Sequence, residues 1–151
     1  MKYNIKQKRL LVTILFFLAL TTSTIQAQTT IAEQLAGTWQ FDEITSFSTI
    51  EPATRAKMDS IPGFKTQLLN AYRGRSTFFG SDGSYKVTLA DGRSSTGSWQ
   101  LTTSGEVQLT DPEGNVSYQR IGTLQNNHLV LIPVTSDGFK SIIKQWHFVK
   151  L

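Results

Sequence analysis

The chain has 151 residues, a formal net charge of +4 and no cysteine. The missing thiol excludes disulfides, a cysteine nucleophile, cysteine metal ligands and a thiol-linked lipid anchor. Nor does the positive charge argue for nucleic acid. Lys2, Lys6, Lys8 and Arg9 crowd into one N-terminal segment, and without them 11 basic residues face 11 acidic ones, which removes the field that a phosphate backbone requires.

That basic start runs into residues 10–20, apolar apart from Thr13, and then into a polar stretch carrying the small Ala27. The order predicts a secretory signal peptide over residues 1–27 and a periplasmic or secreted mature domain over residues 28–151. The apolar run falls short of the roughly 20 residues of a membrane span, so no transmembrane span is expected. An uncleaved anchor is the alternative. The mature segment is long enough for one domain with one core.

GTWQF opens the first predicted strand, over roughly residues 36–47. A helical stretch follows, PATRAKMDSIPGFKTQLLNAYRG, divided by Pro62-Gly63. Its first half, about residues 53–60, predicts one short helix. Its second half carries Phe64, Leu68, Leu69 and Tyr72 on one stripe and predicts another.

Beyond the helices, turn signals recur at Asp82-Gly83, Asp91-Gly92, Ser104-Gly105, Glu113-Gly114, Asn126-Asn127 and Asp137-Gly138. They separate seven predicted strands, roughly 74–80, 84–90, 93–103, 106–111, 116–125, 128–135 and 139–150. Tyr85, Val87 and Leu89 alternate with Lys86 and Thr88; Trp99 and Leu101 alternate with Ser98 and Gln100; Val107 and Leu109 alternate with Gln108 and Thr110. The fold expected is all-β: an eight-stranded antiparallel up-and-down barrel with a short helical insert between strands one and two. HLVLIPVT, from His128, is apolar on both faces, and Pro133 predicts a bulge or an edge there.

Catalytic signals are sparse. His128 and His147 fall on different predicted strands, with no carboxylate at ligand spacing, so no metal is expected. No phosphate loop, HExxH or GxSxG occurs. Asp42 and Glu43, adjacent on a strand, point to opposite faces and do not make a carboxylate pair. The expectation is a non-enzyme with no cofactor.

Two features point to binding. In VSYQR, Val116, Tyr118 and Arg120 share parity, so an inward Val116 and Tyr118 bring Arg120 inward as well. A buried guanidinium needs a partner: a ligand carboxylate, or Glu43, unless the register slips and leaves Arg120 in solvent. The second feature is charge. Residues 51–75 hold Arg55, Lys57, Lys65, Arg73 and Arg75 against Glu51 and Asp59. A basic lid draws anionic amphiphiles; otherwise these residues solvate outer helix faces.

LAGTWQF, SDGSYKVTL and STGSWQL together resemble the signatures of small secreted lipocalin-like domains, across nearly all of the mature chain. The resemblance implies that Gly37 and Trp39 sit at the closed end of the barrel, with a basic residue of the last strand, Lys144 or Lys150, over the indole. It also makes Trp39 a structural plug, while Trp99 either fills the core or lines a cavity. The flanks of GTWQF and GSWQL do not align, so the pair does not establish a repeat.

An eight-stranded barrel holds its own side chains or one small ligand. The leading expectation is therefore a binding protein for a small hydrophobic or amphiphilic molecule. Tyr85, Trp99, Tyr118 and Arg120 are expected to line the cavity, with Phe64 and Leu68 closing it. The alternative is a non-catalytic interaction module, an inhibitor or accessory protein, with a solid barrel core.

Overall fold

The computed structural model describes residues 31–135 and 141–151. The predicted leader and the Asp137-Gly138 turn lie outside the described residues. All the elements below belong to the compact unit Gln34–Leu151.

Strand β1 (Gly37–Phe41) is followed by three helices, α1 (Glu43–Ser48), α2 (Pro52–Ser60) and α3 (Phe64–Tyr72). Seven strands follow: β2 (Ser76–Phe79), β3 (Ser84–Thr88), β4 (Ser94–Leu101), β5 (Val107–Thr110), β6 (Val116–Gln125), β7 (His128–Val134) and β8 (Trp146–Lys150). Each strand pairs antiparallel with its sequence neighbour, and β8 returns to β1 to close the barrel. This is the expected all-β barrel with its helical insert between strands one and two. Closure leaves no open sheet edge among the described strands. The five described turn pairs each place their Gly, or both Asn residues, at positive φ, as tight hairpins between right-twisted strands require.

The insert holds one helix more than expected, because the first strand stops early. Asp42 caps α1: its carboxylate accepts from Thr45 N at 3.1 Å and from Thr45 Oγ1 at 2.6 Å. That cap satisfies amides the chain would otherwise leave unpaired, and it turns EITSFS away from the sheet. Asp42 and Glu43 are thus a cap and a first-turn residue, and their expected opposite-face placement on a strand is corrected. Ser46, fully buried, pins α1 to β8 by accepting from His147 N at 2.9 Å. Gly63, at φ 77°, breaks α2 from α3.

The pairing register decides which side chains enter the barrel. Trp39 lies opposite Thr77, Thr77 opposite Val87, Phe79 opposite Tyr85, and Tyr85 opposite Gly97. Trp99 lies opposite Leu109, and Val107 opposite Gln119. The inward set therefore runs through Ser117 and Gln119 on β6, and the expected inward parity of Val116, Tyr118 and Arg120 is corrected. A bulge between Ile121 and Thr123 then shifts β6 against β7. The bulge expected at Pro133 falls instead on this partner strand, and barrel closure removes the alternative of an edge. Pro133 lies beyond the last β7–β8 pair, Leu131 with Trp146, so it interrupts no ladder on that side.

The core sits at the end of the barrel where β1 starts. Trp39, Phe79, Trp99, Val107, Leu129 and Phe148 are buried there, with Trp99 and Tyr85 both 5.4 Å from Phe79, centroid to centroid. At the other end, α1 and α3 cover one side of the mouth. Phe47 and Tyr72 stack on Phe41 at 6.2 and 5.3 Å, and Phe41 packs on Phe148 at 5.6 Å.

Candidate functional site

The two Gly-x-Trp stretches are structural. Trp39 is 1% exposed and donates its indole N–H to Leu35 O at 2.7 Å. Lys150 Nζ lies 5.1 Å from its ring centroid and donates to Gln34 O, so Lys150 is the basic residue over the plug. Lys144 pairs instead with Glu51. Trp99 is 8% exposed and donates to Gly80 O at 2.8 Å. The open alternative for Trp99 thus closes toward the core. Gly97 is needed because a Cβ there would meet Thr110 O at 2.3 Å.

The third tryptophan differs. Trp146 begins β8 at the mouth, and its Nε1 is buried with no acceptor among the described residues. It lines a cavity of about 360 Å³ together with Arg75, Tyr85, Val87, Leu109 and Gln119, with Ser95 and Ser117 nearer the rim. That volume lies within the usual range for small-molecule sites, about 300–1,000 Å³. The apolar wall is Val87, Leu109 and the faces of Tyr85 and Trp146. Polar side chains outnumber these: besides Arg75 and Gln119, the cavity is lined by Ser95, Thr96, Thr110, Asp111, Asn115 and Ser117.

Arg75 is the charged member. It shares inward parity with Thr77 and Phe79. Gly74, at φ 63°, turns the chain from α3 into β2, and a Cβ there would stand 2.9 Å from that of Ala90. The carbonyl of Arg75 accepts from Phe41 N at 2.9 Å and from Gln40 Nε2 at 3.0 Å, which fixes the backbone under the side chain. The guanidinium lies 5.4 Å from the Tyr72 ring centroid and 5.2 Å from that of Trp146, a double cation–π contact. Its Nε is buried without an acceptor, as is Gln119 Oε1 without a donor, among the described residues. Each such group costs about 1–3 kcal/mol when left unpaired. Burial pushes the Tyr85 phenol above its ordinary range, while the facing Arg75 guanidinium pulls it back.

Three of the remaining cap cations are engaged outside the cavity. Lys65 pairs with Asp59 at 3.1 Å, Arg73 with Glu43 at 3.5 Å, and Arg55 donates to Phe47 O at 2.7 Å. Glu43 therefore does not serve Arg120. Asp111, at the rim of the cavity, spends its carboxylate on Asn115 N and Asn115 Nδ2, both at 2.8 Å.

Of the residues expected to form the site, the structure brings only Tyr85 into this cavity. Tyr118 is 39% exposed on the outer surface and Arg120 is exposed beside it. Leu68 lines a separate groove of about 310 Å³ under the helices, with Phe47, Ile50 and Met58. Phe64 is half-buried on α3 and lines neither space. Sequence reasoning missed Arg75, Gln119 and Trp146. For Arg75 the signal was present: a basic residue two positions before Thr77 shares the parity of the core residue Phe79.

No family model matches the chain, and no curated protein matches it. Among solved structures, the chain is similar to a DUF4847 family protein from Bacteroides vulgatus ATCC 8482. The identity is 20% and the TM-score 0.42, over 76% of this chain and 92% of that one.

Proposed function

We propose that this small β-barrel protein binds one small amphiphilic molecule in the mouth of its barrel and does no chemistry on it. The observation that carries the reading is the mouth cavity itself. Its wall joins apolar surface of Tyr85, Val87, Leu109 and Trp146 to polar side chains, and three polar atoms of its lining residues, Arg75 Nε, Gln119 Oε1 and Trp146 Nε1, are buried without partners among the described residues. A core that only needed filling would place apolar groups there, since unpaired polar atoms destabilise it. The lipocalin-like reading is supported by the Trp39 plug under Lys150 at the opposite end. The basic, apolar, small-residue order of residues 1–27 supports a leader and a periplasmic or secreted location.

The test is titration of the purified protein with fluorescent fatty-acid probes of several chain lengths. Trp146 lines the cavity, so binding is expected to quench tryptophan emission, and Trp146→Phe is expected to remove most of that quench. Absence of binding at every chain length defeats the reading. A second reading then leads: an interaction module working through its outer face. One observation favours it, the apolar exposure of Tyr118 and Val134, paired across strands β6 and β7, at 39% and 44%.

A further inference from the structure

The mouth cavity contains one cation, Arg75, one rim carboxylate, Asp111, and several neutral polar groups, and the form of the cation narrows what it accepts. Arg75 packs beside the rings of Tyr72 and Trp146, which also contact each other with centroids 6.0 Å apart. The ring pair shields one side of the guanidinium from water and leaves its terminal nitrogens for hydrogen bonds. No carboxylate of the described residues forms an ion pair with it: Asp59, Glu43, Asp91 and Glu51 pair with Lys65, Arg73, Arg93 and Lys144. The nearest rim acid, Asp111, is occupied by its own turn. A guanidinium held in a partly dry site without a counter-charge is costly unless an anion completes it.

We infer that the cavity takes a monoanionic carboxylate, held by the terminal nitrogens of Arg75, and that its apolar body lies along Tyr85, Val87 and Leu109. This rests on the binding reading above and specifies its ligand class. A planar carboxylate fits the donor fork of arginine through two parallel hydrogen bonds. One cation balances one negative charge; a phosphate dianion would carry a second charge into a site with no second cation to meet it. The polar rim of Ser95 and Ser117 suits a body that is not uniformly apolar.

The test compares matched probes that differ only in the head group: decanoate against decanol, and naphthoate against naphthalenemethanol. Binding is measured by calorimetry and tryptophan emission on the wild-type chain, Arg75→Gln, Arg75→Lys and the outward-facing Lys86→Gln. Circular dichroism establishes that each variant is folded. A charge-assisted contact predicts that each carboxylate binds about tenfold or more tighter than its alcohol. Arg75→Gln is expected to abolish that preference. Arg75→Lys, which retains charge without the fork, is expected to keep part of it, and Lys86→Gln all of it. If carboxylate and alcohol bind equally, or the preference survives in Arg75→Gln, the carboxylate inference fails while the cavity reading stands. If none of the four probes binds, both fail.

Discussion

The three tryptophans differ in what their indole N–H groups meet. Trp39 and Trp99 each donate to a backbone carbonyl and are almost fully buried. Every group on them is satisfied within the fold, so their role is to fill space. Trp146 has the same ring and a buried N–H with no acceptor among the described residues. Truncating a plug removes both transfer energy and packing. Trp39→Ala is therefore expected to cost about 3–5 kcal/mol, read as a lowered urea midpoint. It would also strand Lys150 without the ring it covers. Equal midpoints for the variant and the wild type would show that Trp39 is not the plug.

At the level of elements, the insert depends on how β1 ends. Burial raises the carboxyl of Asp42, but its hydrogen bonds from Thr45 outweigh that and hold it below the ordinary carboxylate range. Removing the cap by Asp42→Ala is expected to cost about 1 kcal/mol and to loosen α1 from His147. Because the folded value is depressed, the contribution is complete above the unfolded value of about 3.9. It is lost as the pH falls through the folded value. Urea midpoints of the wild type and Asp42→Ala are thus expected to differ at neutral pH and to converge in acid. A difference that persists in strong acid would rule out the carboxylate as the cause.

For the whole molecule, the barrel divides along its axis. One end is closed by Trp39, Phe79, Trp99 and Leu129; the other keeps a polar-edged cavity, with Phe47 and Tyr72 of the helices packed on Phe41 of β1. Such a division gives rigidity at one end and access at the other. Delivery of this domain outside the cytoplasm is argued from residues 1–27. Intact mass of the protein recovered from the periplasm or medium of the producing cell is expected to correspond to residues 28–151. A full-length mass there would mean that residues 1–27 are not a cleaved leader.

Much of this fold was legible along the chain because local rules govern it. Gly and Asn at positive φ punctuate the hairpins, and period-two alternation marks Tyr85, Val87, Trp99, Val107 and Leu109 as inward. Pro62-Gly63 splits the helices by the same kind of local constraint. The site was far less legible. In VSYQR, hydrophobicity argues for an inward Val116 and Tyr118, yet pairing with Val107 and Leu109 brings Gln119 and Ser117 inside. Strand register is a property of the closed sheet and not of one segment, and a barrel mouth reverses the usual rule by keeping polar groups within. The expectation of an inward arginine was chemically sound, but it settled on Arg120. Only closure of β8 onto β1, which brings Trp146 from one end of the chain against Tyr72 and Arg75 in its middle, decides which guanidinium faces the cavity.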